Sequence, residues 1–424
     1  MSEIARDIQS NIFIRGLSGA SPELPLEFEA LEAAAREKMS PEAFAYVAGG
    51  AGRESTIDKN SRDFDDFSLV PKMLKGYQSV DTSIELLDRK YSTPFLLSPI
   101  GVLSMAHPKA DLAVAKAASE TAVPMIFSNQ ASVPMEDCAA VMGDQDRWFQ
   151  LYYSQEKGLV KSLLERAEKA GCSAIVVTLD TTRLGWRPRD LELAYLPFLR
   201  GMGIAQYTSD PVFQKMLDEG RGQALKDAPQ PSINLNTLSA IWQQKSNYPA
   251  PWTKKLFSDR PMRAVRLFIN TYSRPDLSWD DLPFIRECTK LPVILKGIVH
   301  PDDAEKAKDQ GMDGIIVSNH GGRQVDGAVS IVKMLPKIME RVGTDFPVIF
   351  DSGIRSGAHA LKALSLGAKA VCIGRPFVYA LALNGKKGVK DLLNYYRASL
   401  ELNMSLAGCK KISDLGPQLF ESYL

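Results

Sequence analysis

The sequence predicts an α/β protein of the (β/α)8 TIM barrel class, with a helical segment ahead of the barrel and a long lid inserted after the fourth strand. Three observations predict it. Short apolar runs rich in β-branched residues recur eight times, each ends in small or polar residues, and helix-like stretches alternate with them. Such continuous apolar runs suit strands buried on both faces of a parallel sheet, and alternation with helices marks βαβ units. Eight parallel strands close around a filled interior. An open doubly wound sheet competes, but no G-x-G-x-x-G follows any of the runs, because Gly201-Met202-Gly203 lacks the third glycine.

In chain order the predicted strands are Phe95 to Ile100, Pro124 to Asn129, Trp148 to Tyr152, Ala174 to Asp180, Pro292 to Gly297, Gly314 to His320, Pro347 to Gly353 and Ala370 to Arg375. Amphipathic stretches between them include Lys109 to Thr121, Glu156 to Ala170, Asp302 to Gln310 and Ser356 to Leu366, with Pro301-Asp302-Asp303 and Ser356 as helix-start signals. Residues 1–90 form the segment ahead of the barrel, which occupies 91–424. That segment carries helical patterns over Leu26 to Lys38 and Pro41 to Val47, ends in Gly49-Gly50-Ala51-Gly52, and is expected to cover one mouth. Residues 183–290 exceed what one crossover helix requires, which marks a lid. Aromatic residues through it (Trp186, Tyr195, Phe198, Tyr207, Phe213, Trp242, Trp252, Trp279) predict ordering over the barrel, with polar Gln223 to Asn247 as its mobile part.

Composition excludes several classes. With 424 residues, 45% apolar, 24% charged and a formal charge of +1, the chain offers no basic field for nucleic acid or anionic lipid. It has no run of about 18 apolar residues and no leader-like start, so no membrane partner is expected. Five cysteines without C-x-x-C spacing argue against a metal site and for a reducing, cytoplasmic setting; Cys172 and Cys372 read as packing residues.

Barrels of this kind place chemistry at the carboxyl ends of their strands. Those ends are unusually polar here: Ser98-Pro99-Ile100-Gly101, Ser128-Asn129-Gln130, Gln150-Leu151-Tyr152, Thr178-Leu179-Asp180, Lys296-Gly297, Ser318-Asn319-His320-Gly321-Gly322-Arg323, Asp351-Ser352-Gly353-Ile354-Arg355 and Gly374-Arg375. The last two join glycines, arginines and a helix start, which reads as a phosphate site for either a phosphorylated cofactor or a phosphosugar. Of four histidines, only His320 follows a buried strand, three residues before Arg323. A base beside a fixed guanidinium suits oxidation of an alcohol that bears a carboxylate. His107, His300 and His359 read as surface or capping residues.

The run Ser318-Asn319-His320-Gly321-Gly322-Arg323-Gln324 resembles the signature of the FMN-dependent L-2-hydroxy acid oxidases and dehydrogenases, and the resemblance extends from about residue 28 to the C-terminus. It implies FMN as cofactor and a small L-2-hydroxy acid and O2 as partners. His320 would be the base, with Asp180 on its other nitrogen. Arg187 and Arg323 would grip the substrate carboxylate, Tyr46 and Tyr152 its carboxylate or hydroxyl, and Lys296 would face the flavin. Pro99, Ile100, Gly101, Ser128, Gln150, Thr178 and Ser318 would contact the ring, and Asp351, Gly353, Arg355, Gly374 and Arg375 the ribityl chain and phosphate. Gln130 stands where glycolate-oxidising members carry tryptophan. Segments around Trp186-Arg187-Pro188-Arg189-Asp190, Pro197 to Gly201 and Asp210 to Phe213 resemble the lactate 2-monooxygenase branch, which implies L-lactate and O2 converted to acetate, CO2 and water. An oxidase releasing pyruvate and hydrogen peroxide, a dehydrogenase with another acceptor, a non-catalytic flavin scaffold and, outside the family, a phosphosugar isomerase or aldolase barrel are the alternatives. The resemblance also implies a homotetramer or larger homo-oligomer, and the residues ahead of the barrel are too few for the haem-binding extension of flavocytochrome b2 to be expected.

Overall fold

A computed structural model describes residues 4–76, 78–223 and 232–423. Eight parallel strands close into a barrel: β1 (Phe95–Leu97), β2 (Met125–Phe127), β3 (Arg147–Tyr152), β4 (Ile175–Thr178), β5 (Val293–Ile298), β6 (Gly314–Val317), β7 (Val348–Phe350) and β8 (Ala370–Ile373), with β8 pairing β1. Most strands stop before the polar ends assigned to them, so several of those residues sit on the loops that follow.

Strand periodicity decides what faces inward. Leu96, Ile126, Trp148, Ala174, Val176, Ile294, Ile316, Ile349, Ala370 and Cys372 form one buried cluster inside the barrel, while their neighbours Phe95, Leu97, Met125, Phe127, Phe149, Leu151, Ile175 and Val177 belong to the shell packed against the helices. Successive side chains alternate faces, so residues two positions beyond an interior residue share its side. Counting on by two from Leu96, Ile126, Trp148, Val176, Ile294, Ile316, Ile349 and Cys372 gives Ser98, Ser128, Gln150, Thr178, Lys296, Ser318, Asp351 and Gly374. The barrel interior therefore passes from an apolar plug to a polar floor within one layer.

The other end is closed by a feature the helical reading of residues 1–90 lacks, a hairpin of Ile84–Leu86 against Arg89–Tyr91, whose Leu86 and Tyr91 join the interior cluster. Ahead of it, helices Phe28–Lys38 and Pro41–Ala48 pack on the 33-residue helix Arg375–Ala407. Ser40 caps the second of them through the Ala43 amide at 3.2 Å. Its carboxyl-terminal carbonyls are taken by guanidiniums: Arg375 donates to Val47 O at 3.0 Å and Gly49 O at 3.0 Å, and Arg323 donates to Gly49 O at 3.1 Å and to Tyr46 O. This carries Tyr46 to the polar mouth.

The insertion after β4, read from the sequence as a lid, is helical: Pro188–Glu192, Ala205–Thr208, Pro211–Asp218, Leu235–Asn247, Trp252–Leu256 and Arg260–Thr271, before the helix Leu282–Cys288 that leads into β5. Residues 224–231 of the stretch expected to be mobile lie outside the described residues. The rest of that stretch is largely a 13-residue helix, capped by Asn234 and tied down by Gln244 to Leu199 O at 2.6 Å and Asn247 to Arg200 O at 3.0 Å. Polarity misled there because the residues spend their amides on neighbouring backbone. Helix Pro301–Asp309 likewise is capped by the His300 imidazole, which accepts from the Asp302 amide at 3.2 Å, while Asp302 and Asp303 lie in its first turn. Among the described residues no helix is long and apolar enough to cross a membrane.

Candidate active site

The polar floor and the loops above it enclose one cavity lined by Tyr46, Pro99, Ile100, Gly101, Gln130, Gln150, Tyr152, Thr178, Arg187, Lys296, His320, Arg323, Asp351, Gly353, Arg355, Gly374 and Arg375. Three predicted residues stand just behind this wall. Asp180 backs His320, Ser128 accepts from the Gln130 amide at 3.1 Å, and Ser318 lies under Lys296.

His320 opens a left-handed turn (φ 57°) that continues through Gly321 (φ 65°) and Gly322 (φ 78°). A Cβ on Gly321 would come within 2.8 Å of the Arg375 guanidinium, and one on Gly322 within 2.8 Å of the Ile57 amide, so both positions demand glycine. The turn aims the imidazole inward, with Nδ1 2.8 Å from Asp180 Oδ1. Burial favours protonated Asp180, but His320 and Lys296 outweigh it and hold the carboxyl below its usual range. An ionised carboxylate can only accept, so Nδ1 carries the proton and Nε2 keeps a free lone pair. Burial also pulls the His320 pKa down against the raising effect of Asp180, which keeps the ring neutral at pH 7 and able to take a proton.

Lys296 sits on a β-bulge. Gly297 (φ 104°) breaks the β5–β6 register, and a Cβ there would meet the Asp180 side chain at 2.8 Å. The Lys296 ammonium donates to Ser318 Oγ at 2.9 Å and lies 3.1 Å from Asp351 Oδ2. Burial opposes its charge, yet Asp351 and Asp180 prevail and raise its pKa, so it is a fixed cation.

Arg187, Arg323, Arg355 and Arg375 face the cavity, and none is within ion-pair distance of a carboxylate among the described residues. Their hydrogen bonds run to neutral oxygens: Arg187 to Arg323 O at 3.1 Å and Gln324 Oε1 at 2.8 Å, Arg355 to Ile354 O at 3.1 Å, and Arg375 to Gly321 O at 2.8 Å besides Val47 and Gly49. Burial pushes Arg187 down to about 10 and Arg375 to about 9. Buried cations with only neutral partners make strong anion sites. Arg187 neighbours Arg323, and Arg375 neighbours both Arg323 and Arg355.

A family model described as FMN-dependent dehydrogenase matches residues 35–422. An FMN-dependent alpha-hydroxy acid dehydrogenase of Penicillium citrinum is 39% identical over 91% of this chain and 87% of its own length. The L-lactate oxidase of Lysinibacillus sphaericus is 36% identical over 96% and 95%. The chain belongs to the FMN-dependent 2-hydroxy acid oxidase and dehydrogenase family. Among solved structures, mandelate oxidase with (S)-2-phenylpropionate superposes with a TM-score of 0.72 at 32% identity, covering 92% of this chain and 97% of that one.

The cavity fits the FMN of this family. Gln150 Nε2 and Thr178 Oγ1 are buried without a hydrogen-bond partner among the described residues, and both groups line the cavity, where a ring edge bearing carbonyl oxygens and an N–H would satisfy them. At the other end, Gly374 begins helix Arg375–Ala407 with no side-chain cap, leaving amide donors for a phosphate. Gly353 (φ 98°) is forced, since a Cβ there would fall 2.0 Å from Asn60 O.

Several contributors escape the sequence. His359, read as a surface or capping residue, is instead stacked on Phe64 at 4.4 Å with Nδ1 3.2 Å from Gly353 O, so it braces the Gly353 turn. Burial lowers its pKa to about 4, which keeps it neutral. Cys372, read as packing, also reaches the cavity floor. The lid supplies Phe198 and Tyr272 to the wall. Tyr272 stands perpendicular to Tyr152 at 6.4 Å and stacks on Phe268 at 5.0 Å, while Phe198 meets Tyr46 edge-on at 6.4 Å. Only the inward swing of helix Arg260–Thr271 brings Tyr272 there; its sequence surroundings carry no mark of a site.

Proposed function

We propose that this enzyme binds a small L-2-hydroxy acid, L-lactate above all, with its carboxylate on Arg187 and Arg323, and that His320 removes a proton as the C–OH is oxidised. The observation that carries the assignment is the His320 imidazole, its Nδ1 2.8 Å from Asp180 Oδ1, sharing a cavity with two guanidiniums that have no carboxylate partner among the described residues. FMN, when bound, supplies the two-electron acceptor that converting C–OH to C=O requires. Arg187 and Arg323 fix the acid group, which orients the hydroxyl end toward the base. Tyr46 and Tyr152 present phenols to the same end. Asp180 holds the tautomer and stabilises the imidazolium formed on proton transfer. Lys296 keeps a positive charge at the floor, where it favours charge accumulating on the ring edge. Pro99, Ile100, Gly101, Gln150 and Thr178, backed by Ser128 and Ser318, cradle the ring, while Asp351, Gly353, Arg355, Gly374 and Arg375 hold the ribityl phosphate.

Phe198 and Tyr272 roof the cavity, and the lid that bears them is packed onto the barrel. A roof that retains the 2-keto acid supports the monooxygenase outcome, in which L-lactate and O2 give acetate, CO2 and water, since release before oxygen reacts yields pyruvate and hydrogen peroxide instead. The test is product analysis from L-lactate in air. Acetate and CO2 in equal amounts are expected; stoichiometric free peroxide with pyruvate would assign an oxidase, and anaerobic mixing with L-2-hydroxy acids that leaves the flavin unbleached would reject the activity. Five free cysteines, four of them buried, suit work in the cytoplasm. Exposed Trp186, Leu191, Leu193 and Leu199 around the lid suit burial between subunits of a homotetramer or larger assembly.

A further inference from the structure

Ser352 is not a glycine, yet its backbone holds φ 88°, a region that L-residues rarely adopt. Such an outlier persists where the side chain does something glycine cannot. The Ser352 hydroxyl oxygen accepts the Gly321 amide at 3.0 Å, across from β7 to the turn after β6. One residue earlier, the His320 amide is accepted by Ser318 Oγ at 3.0 Å. Two hydroxyls thus hold consecutive amides of the turn that aims the imidazole. Their capacities are spent in different ways. Ser318 donates to Asp351 Oδ2 at 2.6 Å and accepts from both Lys296 and His320, so its lone pairs are full. It cannot take over the Gly321 amide if Ser352 is lost. Ser352, 3.4 Å from Ser318 Oγ and 3.5 Å from Asp351 Oδ2, is the only described side chain that accepts that amide.

We infer that Ser352 is a positioning residue, whose hydroxyl locks the His320-Gly321 peptide against the β7 turn and so couples the Lys296–Asp351 ion pair to the orientation of the base. The inference rests on the proposed role of His320. Freed, the Gly321 peptide can rotate within its left-handed turn, and imidazole Nε2 moves relative to the substrate hydroxyl; a misplacement of about 1 Å costs on the order of 10²-fold in rate.

The experiment is anaerobic flavin reduction by L-lactate, followed as a function of pH, for wild-type holoenzyme, Ser352→Ala and Ser352→Gly. Alanine keeps the strained position and removes the hydroxyl; glycine removes both and fits φ 88° without strain, so it serves if the alanine variant fails to fold. Both variants are expected to retain FMN and to reduce it at least about tenfold more slowly, a fraction of the misplacement penalty. The acid limb of the profile should be displaced as well, because the imidazole loosens from Asp180 while Lys296 and Arg187 still face it. A merely structural serine would leave that limb in place. Reduction within twofold of wild type on an unmoved limb would overturn the inference while leaving His320 as base. Wild-type protein that no L-2-hydroxy acid reduces would overturn both.

Discussion

At the joint between lid and barrel, Arg166 donates to Glu136 at 2.8 and 3.0 Å, to Asp210 at 3.1 Å, to Ser209 at 2.7 Å and to Gln206 O at 2.6 Å. At the cavity, Arg187 donates to one carbonyl and one amide oxygen and has no carboxylate within ion-pair reach among the described residues. Both guanidiniums are largely buried, but their titration shifts in opposite directions. Burial opposes the Arg166 charge and its two carboxylates more than restore it, whereas burial of Arg187, aided by Arg323, is offset only in part by Tyr46, Asp190 and Tyr152. The first arrangement is finished when the chain folds. The second is completed only when an anion arrives, so part of the folding free energy is held in a charge that binding can satisfy.

On this contrast Arg187 is dispensable for folding and Arg166 is dispensable for chemistry. The largest effect should come from His320→Gln, which is expected to slow flavin reduction about 10²- to 10⁴-fold while FMN stays bound; stopped-flow reduction rates within tenfold of wild type would remove the base assignment. Next, Arg166→Met leaves Asp210, fully buried and the N-cap of helix Pro211–Asp218, without its cation. Losing one partner of such a pair costs about 3–5 kcal/mol, to be read from urea unfolding, with the reduction rate of the folded fraction nearly unchanged. Arg187→Met should do the reverse: kcat/KM falls by about 2–5 kcal/mol equivalent, or roughly 30-fold and upward, with Tm equal to or above wild type. A variant losing both activity and Tm would dissolve the contrast.

The pH dependence sharpens it further. The pKa of His320 is depressed in the folded protein, chiefly by burial, so the neutral form is favoured there. Its contribution to stability is present above the unfolded histidine value of about 6.5 and is lost as pH falls through the lower folded value. Activity needs the same neutral form, so the acid limb of kcat/KM is expected below about 6.5; a limb above that value would show that burial does not control the base. The smallest effect belongs to Tyr272→Phe. Its phenol reaches the wall from the lid and lies near Arg187, and losing a hydrogen bond to a charged ligand group is worth about 1.5–3 kcal/mol, expected as a rise in KM for L-lactate with FMN binding intact.

Much of this site was legible before folding was considered, and the reason is periodicity. Each barrel strand is an apolar run that stops at a polar residue, and the period of two carries Ser98, Gln150, Thr178, Lys296, Asp351 and Gly374 onto the same side as the interior residues before them. The paired glycines after His320 and the uncapped helix start at Gly374 announce tight turns and an anion site in the same local way. Contributions that depend on packing between distant segments stayed hidden. His359 looked like a helix-start residue until its stacking on Phe64 turned it toward Gly353, and Leu235–Asn247, within the stretch read as mobile, forms a helix whose amides reach the backbone near residue 200.

The chain by itself determined the strand count and the polar residues that end each strand, and it singled out His320 beside Arg323, because these follow from spacing along a few residues. Tertiary structure alone decided which arginines remain without a carboxylate, how Tyr272 and Phe198 reach the wall, and why Ser352 tolerates a glycine conformation. These depend on which charges, rings and amides meet across separations of many tens of residues, and local pattern holds no record of that.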